Sequence, residues 1–334
     1  SAMVLVELLG AVRGLDAAQA ELERLIAASD ADSRYARLLT IALADLYTEA
    51  DQPDQARTVL QAALEATDRP AASDRLRVRL AELELAEGNL AEATTLTDTV
   101  LERDPNNAQA LAVRATLEID DYRPEDAILT LRRALSVEPQ NARLMLLEAR
   151  AHDRNGNPTL ATERLANAVR ASDFDPEIAL QYAAVLQSRD QLASAETVIE
   201  EAARRHPANR ELLMRLGVLR LALDDPAGAE AATARLRALD AESGDAARLT
   251  AATLLQQGRI QEGMTLLEDM LIDPANASRV LPDLIAGYVA SGEVERAENL
   301  LERLIEDNPA NLMAQILRAE LFLRAGDLVS AEAI

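Results

Sequence analysis

Small and large apolar residues recur along this chain four positions apart: Ala56 with Leu60, Ala127 with Leu131, Ala161 with Leu165, Ala195 with Ile199, Ala297 with Leu301. That spacing places each pair on one stripe of an amphipathic helix. The pairs keep a common register of 34 residues, and so do the prolines: Pro105, Pro139, Pro207 and Pro309 each sit in a phrase of Asp, Glu, His or Asn followed by Pro-x-Asn. A fixed period of this length is the mark of a repeat architecture. Laid out at that period, the chain reads as 37–70, 74–107, 108–141, 142–175, 176–209, 210–243, 244–276 and 278–311, with Ala71-Ala72-Ser73 as an insertion. Residues 312–334 form a partial repeat, and 1–36 a degenerate one behind Ser1-Ala2-Met3, which reads as the scar of a cleaved tag.

The columns of this layout predict two helices per repeat. Position 20 is Ala in every repeat from 37 onward except at Gly263, and position 8 is small except at Ile285. Two small columns twelve apart mark a crossing too close for larger side chains. Position 15 carries Gly88, Gly156, Gly258, Gly292 and Gly326, while position 17 carries Pro53, Pro124, Pro158 and Pro226. Gly past the end of one helix and Pro in the first turn of the next describe a helix-turn-helix. No proline falls inside a predicted helix, and Pro282 belongs to a first turn. Thr97 and Thr233 interrupt the large apolar column at position 24.

Composition narrows the chemistry. The chain has no cysteine, and its 34 cations are all arginine, so thiolate and lysine Schiff-base mechanisms are excluded. A net charge of −23 argues against binding nucleic acid or acidic membrane surfaces. Two per cent aromatics cannot build a base-stacking platform. The apolar run Met3–Val12 is too short to span a bilayer. An Ala/Leu-rich, lysine-free chain fits a GC-rich bacterial genome.

These columns resemble the tetratricopeptide repeat, whose pattern has small residues at 8 and 20, an aromatic at 11, met here by Tyr47, Tyr288 and Phe322, and Pro at 32. The resemblance covers residues 37–334. It implies an all-α solenoid, a right-handed superhelix whose first helices line a concave groove that takes a partner peptide or helix. It also implies a non-catalytic scaffold without cofactor or metal, of a kind used in bacterial envelope, exopolysaccharide or secretion assembly. The alternative is a cytoplasmic adaptor joined to an effector domain outside this sequence. An array closing at Ile334 without a capping helix reads as part of a longer protein.

In that family the groove-facing positions are 2, 5, 6, 9, 12 and 13. They hold Arg75, Arg79, Arg143, Arg150, Arg154 and Arg215, an arginine set suited to bidentate capture of partner carboxylates. Asp45, Glu82, Asp153, Glu177 and Glu211 share the same positions, so the competing reading is a solvated, internally paired face. The Lys and Asn of the family's chaperone-binding members are missing there. His152, at position 11, reads as a core residue, and His206 as a turn residue beside Pro207; neither has triad partners. The sequon Asn276-Ala277-Ser278 falls in a border turn.

If the register is right, Ala127→Leu or Ala195→Leu overpacks a helix crossing and costs roughly 1–3 kcal/mol, measured as a lower melting temperature; wild-type melting would show the register to be wrong.

Overall fold

The computed structural model describes residues 14–30, 33–67, 73–241, 243–272 and 274–332, with the side chains of 274–278 left aside. The tag scar, most of the insertion at 71–73, the start of the degenerate repeat and Ile334 therefore lie outside the described residues. Among those described there are 19 helices and no strand. After α1 (Leu15–Ala27), they come as first and second helices of successive repeats: α2 (Arg34–Glu49) and α3 (Pro53–Glu65), α4 (Asp74–Ala86) and α5 (Leu90–Arg103), α6 (Ala108–Asp120) and α7 (Pro124–Val137), α8 (Ala142–Arg154) and α9 (Pro158–Ala171). The series continues with α10 (Pro176–Ser188) and α11 (Leu192–Arg205), α12 (Arg210–Ala222) and α13 (Pro226–Leu239), α14 (Gly244–Gln256) and α15 (Ile260–Leu271). It ends with α16 (Pro274–Ala290) and α17 (Val294–Asp307), then α18 (Leu312–Ala325) and the short α19 (Leu328–Glu332). Internal contacts divide the chain into two compact units, Ser1–Asp173 and Phe174–Ile334, and the border falls in the turn between α9 and α10.

Within each unit a second helix packs on its own first helix and on the first helix of the next repeat, which is the all-α solenoid arrangement. The small columns make this possible. Ala93, Ala127, Ala195, Ala229 and Ala297 at position 20 and Ala81, Ala115, Ala183 and Ala251 at position 8 are all completely buried. Gly263, the exception at position 20, marks an even closer approach: a Cβ built there would lie 3.0 Å from the carbonyl oxygen of Ala251 and 2.9 Å from Leu255. Gly217, at position 8, is the hole that receives Leu249 of the next repeat. Core clusters bridge adjacent repeats, through Leu39, Leu60 and Leu76 in the first unit and Ile199, Leu212, Leu216 and Leu236 in the second. Thr97 and Thr233 do not breach them, because each hydroxyl donates to the carbonyl four residues back, at 2.7 and 2.9 Å.

The turns explain the punctuation. Every residue at position 15 adopts positive φ, not only the five glycines but also Asp51, Tyr122, Asp190 and Asp224, at 56–60°. The left-handed residue ends the first helix, and Pro at position 17 starts the second. At the repeat borders the Asn of Pro-x-Asn is the N-cap of the following first helix: Asn107, Asn141, Asn209 and Asn311 accept from the amides of Ala110, Leu144, Leu212 and Ala314 at 3.0–3.2 Å. At the border of the two units that phrase is replaced, and Asp173 and Phe174 are consecutively left-handed, with φ of 57° and 62°. Phe174 is held by Arg205, whose guanidinium carbon lies 4.5 Å from the ring centre.

One expectation is overturned. The helix of the 278–311 repeat begins at Pro274, so Pro282 lies inside it and the sequon 276–278 belongs to helix instead of a border turn. Pro274 is well suited to a first helical position, where its missing N–H costs nothing. Pro282 then removes one hydrogen bond from the helix interior.

Candidate protein-interaction site

The first helices of the first unit bring five of the six candidate arginines onto α4 and α8. Arg79 donates to Asp45 of the preceding repeat and lies 3.3 Å from Glu82. Glu82 in turn sits 3.0 Å from Arg143, two repeats on; the intervening repeat offers only Ala112 and Thr116 at positions 5 and 9. The result is one ion-pair chain, Asp45–Arg79–Glu82–Arg143, spanning four repeats. Arg150 donates to Asp120 at 2.6 Å. These three arginines are thus tied into inter-repeat pairs. Arg75 is exposed and lines a shallow depression of about 640 Å³ with Arg103, Asn106 and Gln109, away from the ion-pair chain. Arg215, on α12, belongs to the second unit and is half-buried.

Arg154 is differently placed. Its guanidinium carbon lies 5.8 Å from the ring centre of Tyr122, and it has no carboxylate partner among the described residues. Tyr122 is 81% exposed and occupies the left-handed position 15, a conformation costing an L-residue with a bulky side chain about 1–2 kcal/mol. The sequence reading missed Tyr122. The signal was there: an aromatic side chain in a column otherwise filled by Gly and Asp.

Buried titratable groups lie beneath this face, and they are where catalytic chemistry would be sought. They fall in or next to position 11, the aromatic column, which holds Glu84, Glu118 and His152 in successive repeats. Glu84 joins neighbouring repeats, Glu118 joins the two helices of its own repeat, and His152 is enclosed beside a carboxylate of its own helix. Glu84 accepts from Arg57 of the preceding repeat and from Asn89, both at 2.6 Å. Glu118 accepts from Thr130 at 2.8 Å. His152 is 3% exposed beside buried Glu148, which Arg164 approaches at 3.0 Å; burial holds the imidazole below its ordinary range, so it is neutral. The second unit repeats the device. Arg220 donates to Glu196 and Glu200 at 3.0 and 2.7 Å, and Tyr288 donates to Glu268 at 2.6 Å, its hydroxyl pushed up to about 12 by burial and that bond. Tyr47 with Glu23 is the same joint near the start. Among the described residues no group of three or more acidic or imidazole side chains is placed to hold a metal, and no helix is long and apolar enough to cross a membrane.

The profile of a tetratricopeptide repeat-like domain matches residues 5–110, and that of the tetratricopeptide repeat matches 113–176, 183–240 and 286–334. The chain belongs to the tetratricopeptide repeat family. No curated protein matches it in sequence. Similar solved structures include Pseudomonas aeruginosa PilF, at 22% identity over 64% of this chain and 96% of that one, with a TM-score of 0.46. PilW, described as a widely conserved type IV pilus biogenesis factor, is 18% identical over 62% and 95%, with a TM-score of 0.47. A tetratricopeptide repeat protein of Parabacteroides merdae is 17% identical over 76% and 97%, with a TM-score of 0.44. Such repeats are in general non-catalytic and bind proteins, and this TPR chain is a protein-interaction scaffold by membership.

Glu118 gives the buried joints a test. Burial holds its carboxyl above the ordinary range, against the Thr130 bond and the pull of Arg114 and Arg123. A carboxyl raised in the folded state favours folding while protonated, and that contribution fades as pH rises from the unfolded value of 4.5 through the raised one. Glu118→Gln keeps an acceptor for Thr130 without the charge. Its melting temperature is expected to exceed the wild type's at pH 7, with the gap closing towards pH 4; a variant less stable at pH 7 contradicts this.

Proposed function

We propose that the first-helix face of the first unit is the partner-binding groove of this TPR scaffold, and that it receives an extended peptide or helix carrying carboxylates. The observation that supports this most is the exposed Arg154 stacked over Tyr122, beside the Arg150–Asp120 pair. A guanidinium without a carboxylate of its own, above an aromatic ring held in a strained turn, offers an incoming carboxylate charge and a flat apolar shelf. Asp120 can be displaced from Arg150 by a stronger or multivalent partner carboxylate at little cost, since exposed pairs contribute about 0–1 kcal/mol. Arg143 lies on the same helix as Arg150 and Arg154, while Arg75 and Arg215 occupy groove positions of their own repeats.

A second reading has its own observation: Arg79, Arg143 and Arg150 already have acidic partners one or two repeats away, so their role is to hold repeats in register. The two readings part on binding. A photo-crosslinker at Tyr122 in the full-length protein identifies the partner, and the double variant Arg150→Glu with Arg154→Glu is then compared with wild type. The groove reading expects affinity to fall about tenfold or more and the salt dependence to flatten. Unchanged affinity and salt dependence would sink it and leave the register reading. An envelope-assembly setting is supported by the bacterial composition alone; fractionation of cells making the full-length protein tests it, and a cytosolic pool without envelope association favours the adaptor alternative.

A further inference from the structure

Two clefts open on the second-helix side of the repeats, one in each unit, at the same place in the repeat. The first, about 330 Å³, lies among α5, α6 and α7 and is lined by Leu101, Leu111, Arg114, Leu129, Thr130 and Arg133. The second, about 350 Å³, lies among α15, α16 and α17, where Leu271, Leu284, Asn299, Leu300 and Arg303 line it together with the mutually bonded Tyr288, Glu268 and Arg296. Leu101 and Leu271 are both position 28 of the preceding repeat; Leu129 and Asn299 are position 22, Thr130 and Leu300 position 23, and Arg133 and Arg303 position 26. Each cleft therefore has three leucines and the position-26 arginine in its lining; the second arginine of each is already paired, Arg114 with Asp98 and Arg296 with Glu268 and Glu293.

The position-26 arginines stand out by charge. In an acidic chain where most guanidiniums have a carboxylate, neither Arg133 nor Arg303 has one among the described residues. Arg133 donates through Nε to the Asn106 amide oxygen at 2.9 Å, and Arg303 only to the carbonyl of Asn299 at 3.4 Å. Among the described residues neither fork has a further hydrogen-bond partner. Leu129, at the first rim, is 63% exposed. A cleft at the small end of ligand-site volumes takes one side chain well.

We infer that these two clefts are a second recognition surface, each taking a partner segment in which one large apolar side chain is followed by an aspartate or glutamate. The apolar side chain fills the leucine-lined cleft, and the adjacent carboxylate accepts from Arg133 or Arg303. This surface is independent of the first-helix face and does not rest on the groove reading.

The test is a methyl-resolved NMR titration of the full chain with an acetylated, amidated hexapeptide, Gly-Ser-Phe-Asp-Ser-Gly. The expected result is shifts confined to Leu101, Leu111 and Leu129 and to Leu271, Leu284 and Leu300. Arg133→Gln is expected to weaken binding at the first cleft at least fivefold and spare the second, and Arg303→Gln to do the reverse. The same peptide with Asn for Asp is expected to lose at least fivefold at both. No shifts, shifts spread elsewhere, or binding indifferent to both arginines and to the aspartate would overturn the inference. Binding of N-acetylphenylalanine as tight as the hexapeptide would overturn the choice of a side-chain carboxylate in favour of a terminal one.

Discussion

The close approach of two helices within each repeat is the constraint on which the rest depends. In every repeat but that of Ile285, helices whose axes come this near hold no more than a methyl group at positions 8 and 20, with Ala81 and Ala93 or Ala115 and Ala127 wholly buried. Where the second helix comes nearer still, even the methyl is absent, as at Gly263 over the carbonyl of Ala251. Once that crossing is fixed, the first helix presents one face to the next repeat and another to solvent. A repeat cannot bury its own apolar stripe, so stability is built from neighbour contacts.

Direction along the array is set by smaller devices. The left-handed residue at position 15 and the Asn cap at position 34 fix how each helix begins and ends, and the buried polar joints fix which helix follows. Tyr47 with Glu23, Glu84 with Arg57, Arg220 with Glu200 and Tyr288 with Glu268 are all joints between one repeat and the one before it. Ions this enclosed add little net stability against an apolar pair. Broken, they are costly, which penalises a repeat stacked out of order.

Much of this was legible in the sequence. The crossing is written in the alanine columns, the turns in Gly and Pro, and the family in their agreement. What was not legible has physical causes. The left-handed turn at Asp51, Asp190 and Asp224 hides behind residues that tolerate positive φ without advertising it, and Tyr122 shows as an exception only when position 15 is compared across the repeats. Pro282 misled because a proline marks a helix start or a lost bond equally well, and only the extension back to Pro274 decides. The candidate arginines were read from position alone. Position gives the face but not the partner, and whether Arg79 meets Asp45 or solvent depends on the neighbouring repeat. Separation into two units at Asp173–Phe174 coincides with a missing Pro-x-Asn phrase that the 34-residue count passes over.

Gly263→Ala tests the governing constraint most directly, because two effects oppose one another there. Helix propensity alone favours Ala by about 1 kcal/mol in a helix interior. The crossing opposes it, since the new methyl would sit 3.0 Å from the Ala251 carbonyl oxygen and the helices would have to give way. Amide hydrogen exchange of the variant against wild type separates them: the account predicts faster exchange confined to α14, α15 and the first helix that follows, and unchanged or slower exchange there would contradict it.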